Sequence, residues 1–266
     1  MPEAFEQASL LVLGSGTSTG VPMVGCRCKT CTSTDPHDKR LRPSVLLRVG
    51  DKRIVIDTGP DFRYQALRFG VERIDAVLYT HWHADHILGL DDLRPFNFMQ
   101  REEIPIYASA ETMNVITHTF EYVFEAKATE SSRPRLRRHV FRNEPIFPAG
   151  LEFLPIQVSH GKATIHGFRF GNCAYFTDHS EIPPESMEQL YGLDVLFLDA
   201  LRHNFHPTHS TIEQSLKTVE ALAPCQAYFT HISHDVLHEA VQSRLPANVH
   251  LAFDGLEIPL GGSNSR

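Results

Sequence analysis

The 266-residue chain is short of cysteine, of tryptophan and of long apolar runs: it has five cysteines and one tryptophan. Five is an odd set, with three crowded into residues 26–31, so a disulfide framework is not expected; in a reducing compartment such crowding points to metal. No apolar run approaches the roughly 18 residues of a membrane-spanning helix, so none is expected. Met1 to Gln7 lack a basic region followed by an apolar one, which argues against a secretory signal and makes the cytoplasm the expected compartment. Positive charge is also in deficit, with 25 Lys+Arg against 32 Asp+Glu and a net charge of −7. Such a surface repels phosphate backbones and disfavours a nucleic-acid binder. No repeat, low-complexity tract or Pro/Gly/Ser linker divides the chain. A single domain over residues 1–266 is expected, with a frayed tail at about 261–266.

What the chain has is histidine, 16 of them, the commonest metal ligand and the usual acid–base at neutral pH. Short β-branched and aromatic runs predict strands at 9–13, 44–49, 53–56, 76–79, 104–107, 151–158, 167–170, 174–176, 195–198, 227–229 and 249–252. Helices are predicted at 62–69, 111–124, 184–190, 211–223 and 234–244. Strands in runs, with helices interspersed, predict an α/β (α+β) fold of two sheets flanked by helices. Four of these strands lead into a metal-capable residue: His81, His160, Asp178 and His231. Strand ends from distant segments converge on one rim when the strands share a sheet edge.

The strongest signal is His81-Trp82-His83-Ala84-Asp85-His86. In an extended segment His81 and His83 point the same way and can share an ion. A helix beginning near Ala84 turns Asp85 and His86 toward a second one. Nitrogen and carboxylate donors together suit Zn²⁺, Mn²⁺ or Fe²⁺. Paired ions lower the pKa of a water and clamp an anionic centre, which argues for hydrolysis of a phosphoester. A second constellation, Cys26, Cys28 and Cys31, supplies three corners of a tetrahedral zinc site, with His234 as the candidate fourth. The alternative is three buried or free thiols. Cys173 and Cys225 read as small core hydrophobes.

The His-x-His-x-Asp-His run after a strand resembles the metallo-β-lactamase fold superfamily. That resemblance implies a four-layer αββα sandwich with a binuclear site at its edge. It implies His81, His83 and His160 on the first ion, Asp85, His86 and His231 on the second, and Asp178 bridging. Asp57 matches a carboxylate that orients a ligand histidine; an Asx-type turn with Gly59 is the alternative. The Cys-x-Cys-x-x-Cys loop after Leu13–Thr17, together with Thr230–His234, is similar to phosphodiesterases related to PhnP. This narrower resemblance implies a separate structural Zn²⁺ on Cys26, Cys28, Cys31 and His234, and two catalytic ions, Mn²⁺ or Zn²⁺. It implies His209 as general acid on the leaving alkoxide, beside Asp85 in the catalytic pair, although His209 can also serve merely to lead into the next helix. The implied partner is a small, often cyclic, phosphodiester, and a homodimer is common in the subgroup.

Lesser features have blander readings. Gly14–Gly20 lacks a P-loop lysine and reads as a tight turn rather than a phosphate cradle. The Arg133, Arg135, Arg137 and Arg138 cluster reads as a solvated strand face. His203 and His206 are expected to be exposed or beside the substrate, Lys162 is within reach of a phosphate, and Asp61 and Arg63 are expected to pair. A ribonuclease Z-like nuclease needs a basic arm that this acidic chain lacks. A PqqB-like cofactor-pathway protein shares the cysteine loop but not the complete ligand set.

Overall fold

The computed structural model describes Phe5 and residues 7–125 and 132–260; the expected tail at 261–266 lies outside the described residues. One sheet has seven strands, in the spatial order Glu257–Pro259 (β13), Ala8–Gly14 (β1), Ser44–Val49 (β2), Lys52–Ile56 (β3), Ala76–Leu78 (β4), Ile104–Ser109 (β5) and Leu136–Phe141 (β6). The other has six: Val249–Leu251 (β12), Gln226–Thr230 (β11), Val195–Asp199 (β10), Cys173–Tyr175 (β9), Ala163–Phe170 (β8) and Leu154–His160 (β7). Nine short α-helices are seen among the described residues: Lys29–Thr32 (α1), Phe62–Arg68 (α2), Ala84–Ile87 (α3), Arg94–Gln100 (α4), Ala110–Thr119 (α5), Glu121–Phe124 (α6), Pro184–Met187 (α7), Ile212–Leu222 (α8) and His238–Gln242 (α9).

Side-chain alternation sorts the apolar runs into layers. In β1, Leu10 and Val12 face the other sheet while Leu11 and Leu13 face helices; in β10, Val195 and Phe197 face inward while Leu196 and Leu198 face out. Strands buried on both faces read as continuous apolar runs, which is why they were legible. Phe62 and Ala66 of α2, Phe96 of α4 and Ile116 of α5 cover one sheet, and Ile212, Val219 and Leu222 of α8 with Val241 of α9 cover the other. The result is the expected αββα sandwich. No helix among the described residues is long and apolar enough to cross a membrane.

Some boundaries differ for identifiable reasons. β13 was not foreseen and β6 only as the solvated strand face of the Arg133–Arg138 cluster: both are edge strands, and β6 buries only Phe141 while Arg137 and Arg138 face solvent. The 111–124 helix breaks at Phe120 into α5 and α6. The 234–244 helix starts only at His238, because the preceding loop is held otherwise: Arg40 Nη1 donates to Ser233 O (3.1 Å) and His238 N donates to Asp38 Oδ1 (2.9 Å). Thr211 closes the start of α8 with a reciprocal capping box to Gln214. Cys173 is buried as expected, but Cys225 is exposed at the turn into β11. Asp61 does not pair with Arg63; it accepts from Arg42 Nη1 at 3.0 Å and from the Arg42 amide.

Candidate metal centre

In one sheet β3 to β6 run parallel, and in the other β9 to β12 do, so their carboxyl ends make the rim where polar sites are commonly built. His81 and His83 follow β4, His160 ends β7, Asp178 follows β9 and His231 follows β11. Asp57, Asp178 and His231 adopt left-handed φ values of 64°, 57° and 57°. Such a backbone costs roughly 1–3 kcal/mol per residue and persists only where packing over-determines it. α3 begins at Ala84, so Asp85 and His86 turn back toward the rim. Gly59 allows that approach: a Cβ there would lie 2.0 Å from Asp85 O.

The expected residues fall into two adjoining groups. Donor atoms of His81, His83, His160 and Asp178 lie within 4.8 Å of one another, and so do those of Asp85, His86, Asp178 and His231. Asp178 belongs to both. Hydrogen bonds fix which ring nitrogen is free. His160 Nδ1 lies 2.7 Å from Thr208 O, and a carbonyl only accepts, so Nδ1 carries the proton and Nε2 presents a lone pair. His86 Nδ1 lies 2.8 Å from Asp57 Oδ2. Thr80 Oγ1 donates to the same carboxylate (2.8 Å) and accepts from His81 Nδ1 (3.0 Å). Asp57 thus orients two imidazoles; it makes no Asx-type bond to Gly59, which is there for close approach. Buried Asp85 Oδ2, His86 Nε2 and His231 Nε2 have no hydrogen-bond partner. Buried polar atoms aimed at one point are what a cation would satisfy, and the donor chemistry fits.

The electrostatics agree. Burial pushes His160 down to about 4 and His81 well below its ordinary value, so both are neutral at pH 7, as ligands must be. Burial acts the same way on His231, but the carboxylates of Asp178, Asp85 and Asp199 together outweigh it and lift the imidazole to about 9. Burial would raise Asp178, yet His231 and His86 hold it well below the carboxylate range. A field that collects protons at this point also favours a divalent cation there.

The structure also brings His209 to the rim. Its ring stacks on His231 (4.6 Å between centroids, 9° between planes) and lies 4.8 Å from His160. Its Nδ1 is 2.6 Å from Asp199 Oδ2. Burial, then the neighbouring His231, pushes His209 down to about 3, while burial raises Asp199. Asp199 was missed in the sequence, although the signal existed: it ends the apolar run 195–198 as His160 and Asp178 end theirs. His179, buried beside Asp178, was also missed. His203 is exposed and pairs with Glu213 (2.6 Å), Lys162 is exposed on the β7–β8 turn, and Arg63 lies on α2 in a groove away from these donors.

The thiol cluster forms as expected. His234 Nδ1 is 3.3 Å from Cys26 Sγ and 3.4 Å from Cys28 Sγ, and with Cys31 all four donors lie within 4.8 Å. The Cys31 amide, donating to Cys28 Sγ, and His234 lower that thiol to about 6; burial raises Cys31 to about 11. Ser15–Thr17 cradle no phosphate. Ser15 N donates to Asp254, Gly16 N to Leu41 O and Thr17 N to Ile232 O, so the turn braces the His231–His234 segment.

A model of the β-lactamase superfamily domain matches residues 52–232. A solved structure described as a new diphosphatase from the PhnP family is 50% identical, covers 95% of this chain and 97% of its own, and superposes with a TM-score of 0.89. The chain belongs to the β-lactamase superfamily, in its PhnP family. An octanoyltransferase of Porphyromonas gingivalis is 41% identical over 251 residues, 93% of this chain but 50% of that protein, so the chain spans half the length of that relative. Zn²⁺-bound PqqB from Methylobacterium extorquens covers 94% of this chain and 99% of its own at 19% identity, with a TM-score of 0.75, and shares the fold. Among its described residues this PhnP-family chain carries, on the superfamily sandwich, two His/Asp donor groups that share Asp178, a third of Asp199, His209 and His231, and one Cys₃His group.

Proposed function

We propose that the chain is a metal-dependent hydrolase of small phosphodiesters, cyclic ones included. The observation that carries it is the pair of four-donor groups sharing Asp178, with a histidine–carboxylate pair beside them. His81, His83 and His160 would hold one ion, Asp85, His86 and His231 the other, with Asp178 common to both. When bound, two divalent ions, Mn²⁺ or Zn²⁺, ready a water for attack and neutralise charge on a phosphoryl group. Asp57, Thr80 and Thr208 hold the imidazoles in the donor tautomer. Asp85, reaching toward His231, keeps a carboxylate where it can orient the attacking water. Asp199 holds His209 by Nδ1, leaving Nε2 to deliver a proton to the leaving oxygen; an anionic substrate beside Nε2 raises that nitrogen's proton affinity. Cys26, Cys28, Cys31 and His234 would hold a structural Zn²⁺.

The similarity to a diphosphatase supports a second reading in which the scissile bond is a phosphoanhydride; the same groups serve both. We also propose a single domain, supported by a core of residues from both sheets, and a homodimer formed through α2 and α4. There Leu67 (66% exposed) and Met99 (80%) border a groove of about 900 Å³ with Arg63, Glu72, Arg73 and Asp92 around it, so charges of both signs allow self-complementarity. Loss of dimer on size exclusion for Leu67→Asp tests that contact.

The deciding experiment gives purified protein Mn²⁺ or Zn²⁺ with bis(p-nitrophenyl) phosphate, 2′,3′-cyclic nucleotides, a nucleoside diphosphate, p-nitrophenyl phosphate, tRNA and an octanoyl thioester. Diester turnover above monoester and thioester turnover is expected, with about three metal ions per chain. Thioester turnover alone, or tRNA cleavage above all else, overturns the reading.

A further inference from the structure

The loop between β10 and α8 supplies His209, but the two residues at its tip have no part in the function proposed above. Phe205 has 74% of its surface exposed, a large apolar ring in water four residues before the proton donor. Its backbone is pinned: Arg202 donates Nε to Asn204 O (3.2 Å) and Nη2 to Phe205 O (3.4 Å), while Nη1 reaches Asp235 (3.4 Å). His206 is held as well. The Thr208 amide (3.4 Å) and hydroxyl (3.1 Å) face its Nδ1; an amide only donates, so Nδ1 accepts and the proton sits on Nε2. The His206 ring lies 5.0 Å from that of His209. From the other side the β7–β8 turn presses on the same loop, since a Cβ on Gly161 would meet Thr208 Cγ2 at 2.7 Å.

We propose that the Phe205–His206 tip is the subsite for the departing half of the substrate and takes a flat ring attached to the leaving oxygen, a nucleoside base or an aryl group. The inference rests on the hydrolase reading with His209 as proton donor. A donor must touch the leaving oxygen, so whatever hangs from that oxygen extends along the loop carrying His209. His206 Nε2–H donates to an oxygen near the leaving atom, and Phe205 stacks on the ring. A phenyl on a pinned backbone loses little freedom on stacking, and stacking tolerates any flat base.

The test compares uridine 5′-monophosphate with ribose 5-phosphate as inhibitors of bis(p-nitrophenyl) phosphate turnover by the Mn²⁺-loaded enzyme. Both carry phosphate and sugar, with O5′ in the leaving oxygen's place; only one has a base. Roughly tenfold tighter inhibition by the nucleotide is expected, most of it lost in Phe205→Ala and restored in Phe205→Tyr. His206→Gln should weaken both inhibitors alike and raise KM more than it lowers kcat. Equal inhibition of the wild type by the two compounds overturns the proposal. So does a Phe205→Ala protein whose size-exclusion profile shifts while inhibition stays put, which assigns Phe205 to a contact between copies. Absence of any turnover overturns the hydrolase reading instead, and direct binding titrations of the two compounds still read the base preference.

Discussion

Three of the four donors in the thiol cluster come from a six-residue stretch, Cys26 to Cys31, whereas the seven rim donors run from His81 to His231 and sit on or beside four strand ends. The two clusters touch one segment from opposite sides, with His231 turned to the rim and His234 to the thiols. Three of the rim imidazoles are held by other protein groups: Asp57 fixes His86 directly and His81 through Thr80, and the carbonyl of Thr208 fixes His160. The thiols are held mainly by each other and by a four-residue helix. A pre-held cluster spends its binding on chemistry; a self-held loop needs its ion for order.

The largest expected effect breaks the rim at its shared member. Asp178→Asn tolerates the left-handed backbone and should cut diester turnover by more than roughly a thousandfold while far-UV circular dichroism is unchanged. Retained turnover would remove Asp178 from the chemistry. Next comes His209→Ala, with a loss of about 10²–10⁴-fold on alkyl diesters and far less on nitrophenyl diesters, which need little protonation. Asp199→Asn should follow the same leaving-group trend to a smaller degree, because it acts through His209. A uniform loss on all substrates would assign His209 a structural role.

Behind the thiol loop the buried pair Arg40–Asp38, 3.0 Å apart, ties the segment between α1 and β2 to Ser233 and His238. Asp38→Ala leaves the guanidinium buried without its partner and should cost about 3–5 kcal/mol in denaturant unfolding. A loss below 1 kcal/mol would show that water reaches Arg40. Asp254, which anchors the Ser15 turn and the Leu41 amide, is pushed up to about 6 by burial. An acid held above its ordinary value binds its proton more tightly in the folded state. Its contribution to stability is therefore fully present below about pH 4 and lost as pH rises through 6, by roughly 3 kcal/mol. Buried histidines held low, such as His160, act in the opposite sense on both proteins, so the Asp254 share is read by difference: measured relative to Asp254→Asn, the wild-type midpoint should fall between pH 4 and 7.

The smallest effect sharpens the contrast. Cys28→Ser should release about one metal ion per chain and lower the melting temperature, yet reduce turnover only about tenfold, through a loosened His231. A loss as deep as that of Asp178→Asn would mean that the thiol cluster belongs to the chemistry.

The sandwich was legible because strands buried on both faces make unbroken apolar runs such as Ala76–Tyr79 and Val195–Leu198. The two edge strands of the larger sheet gave no such run: Leu136–Phe141 carries arginines that face water, and Glu257–Pro259 buries only Ile258, whereas the edge strands of the other sheet, Leu154–His160 and Val249–Leu251, are apolar enough to be read. The rim was legible wherever a metal-capable residue closed an apolar run, and the same rule extends to Asp199. His179, and the tie from Arg42 to Asp61, had no local mark, since each depends on which segment packs alongside.

The sequence by itself determined which atoms could bind: imidazoles, carboxylates and thiolates at spacings that one strand, one helical turn or one tight loop can present to an ion. Only the tertiary structure decided which nitrogen of His81, His86 and His160 is free, and that Asp199 stands behind His209. Those outcomes rest on hydrogen bonds between residues far apart in the chain and on left-handed backbone at Asp57, Asp178 and His231, which a packed core enforces and local preference opposes.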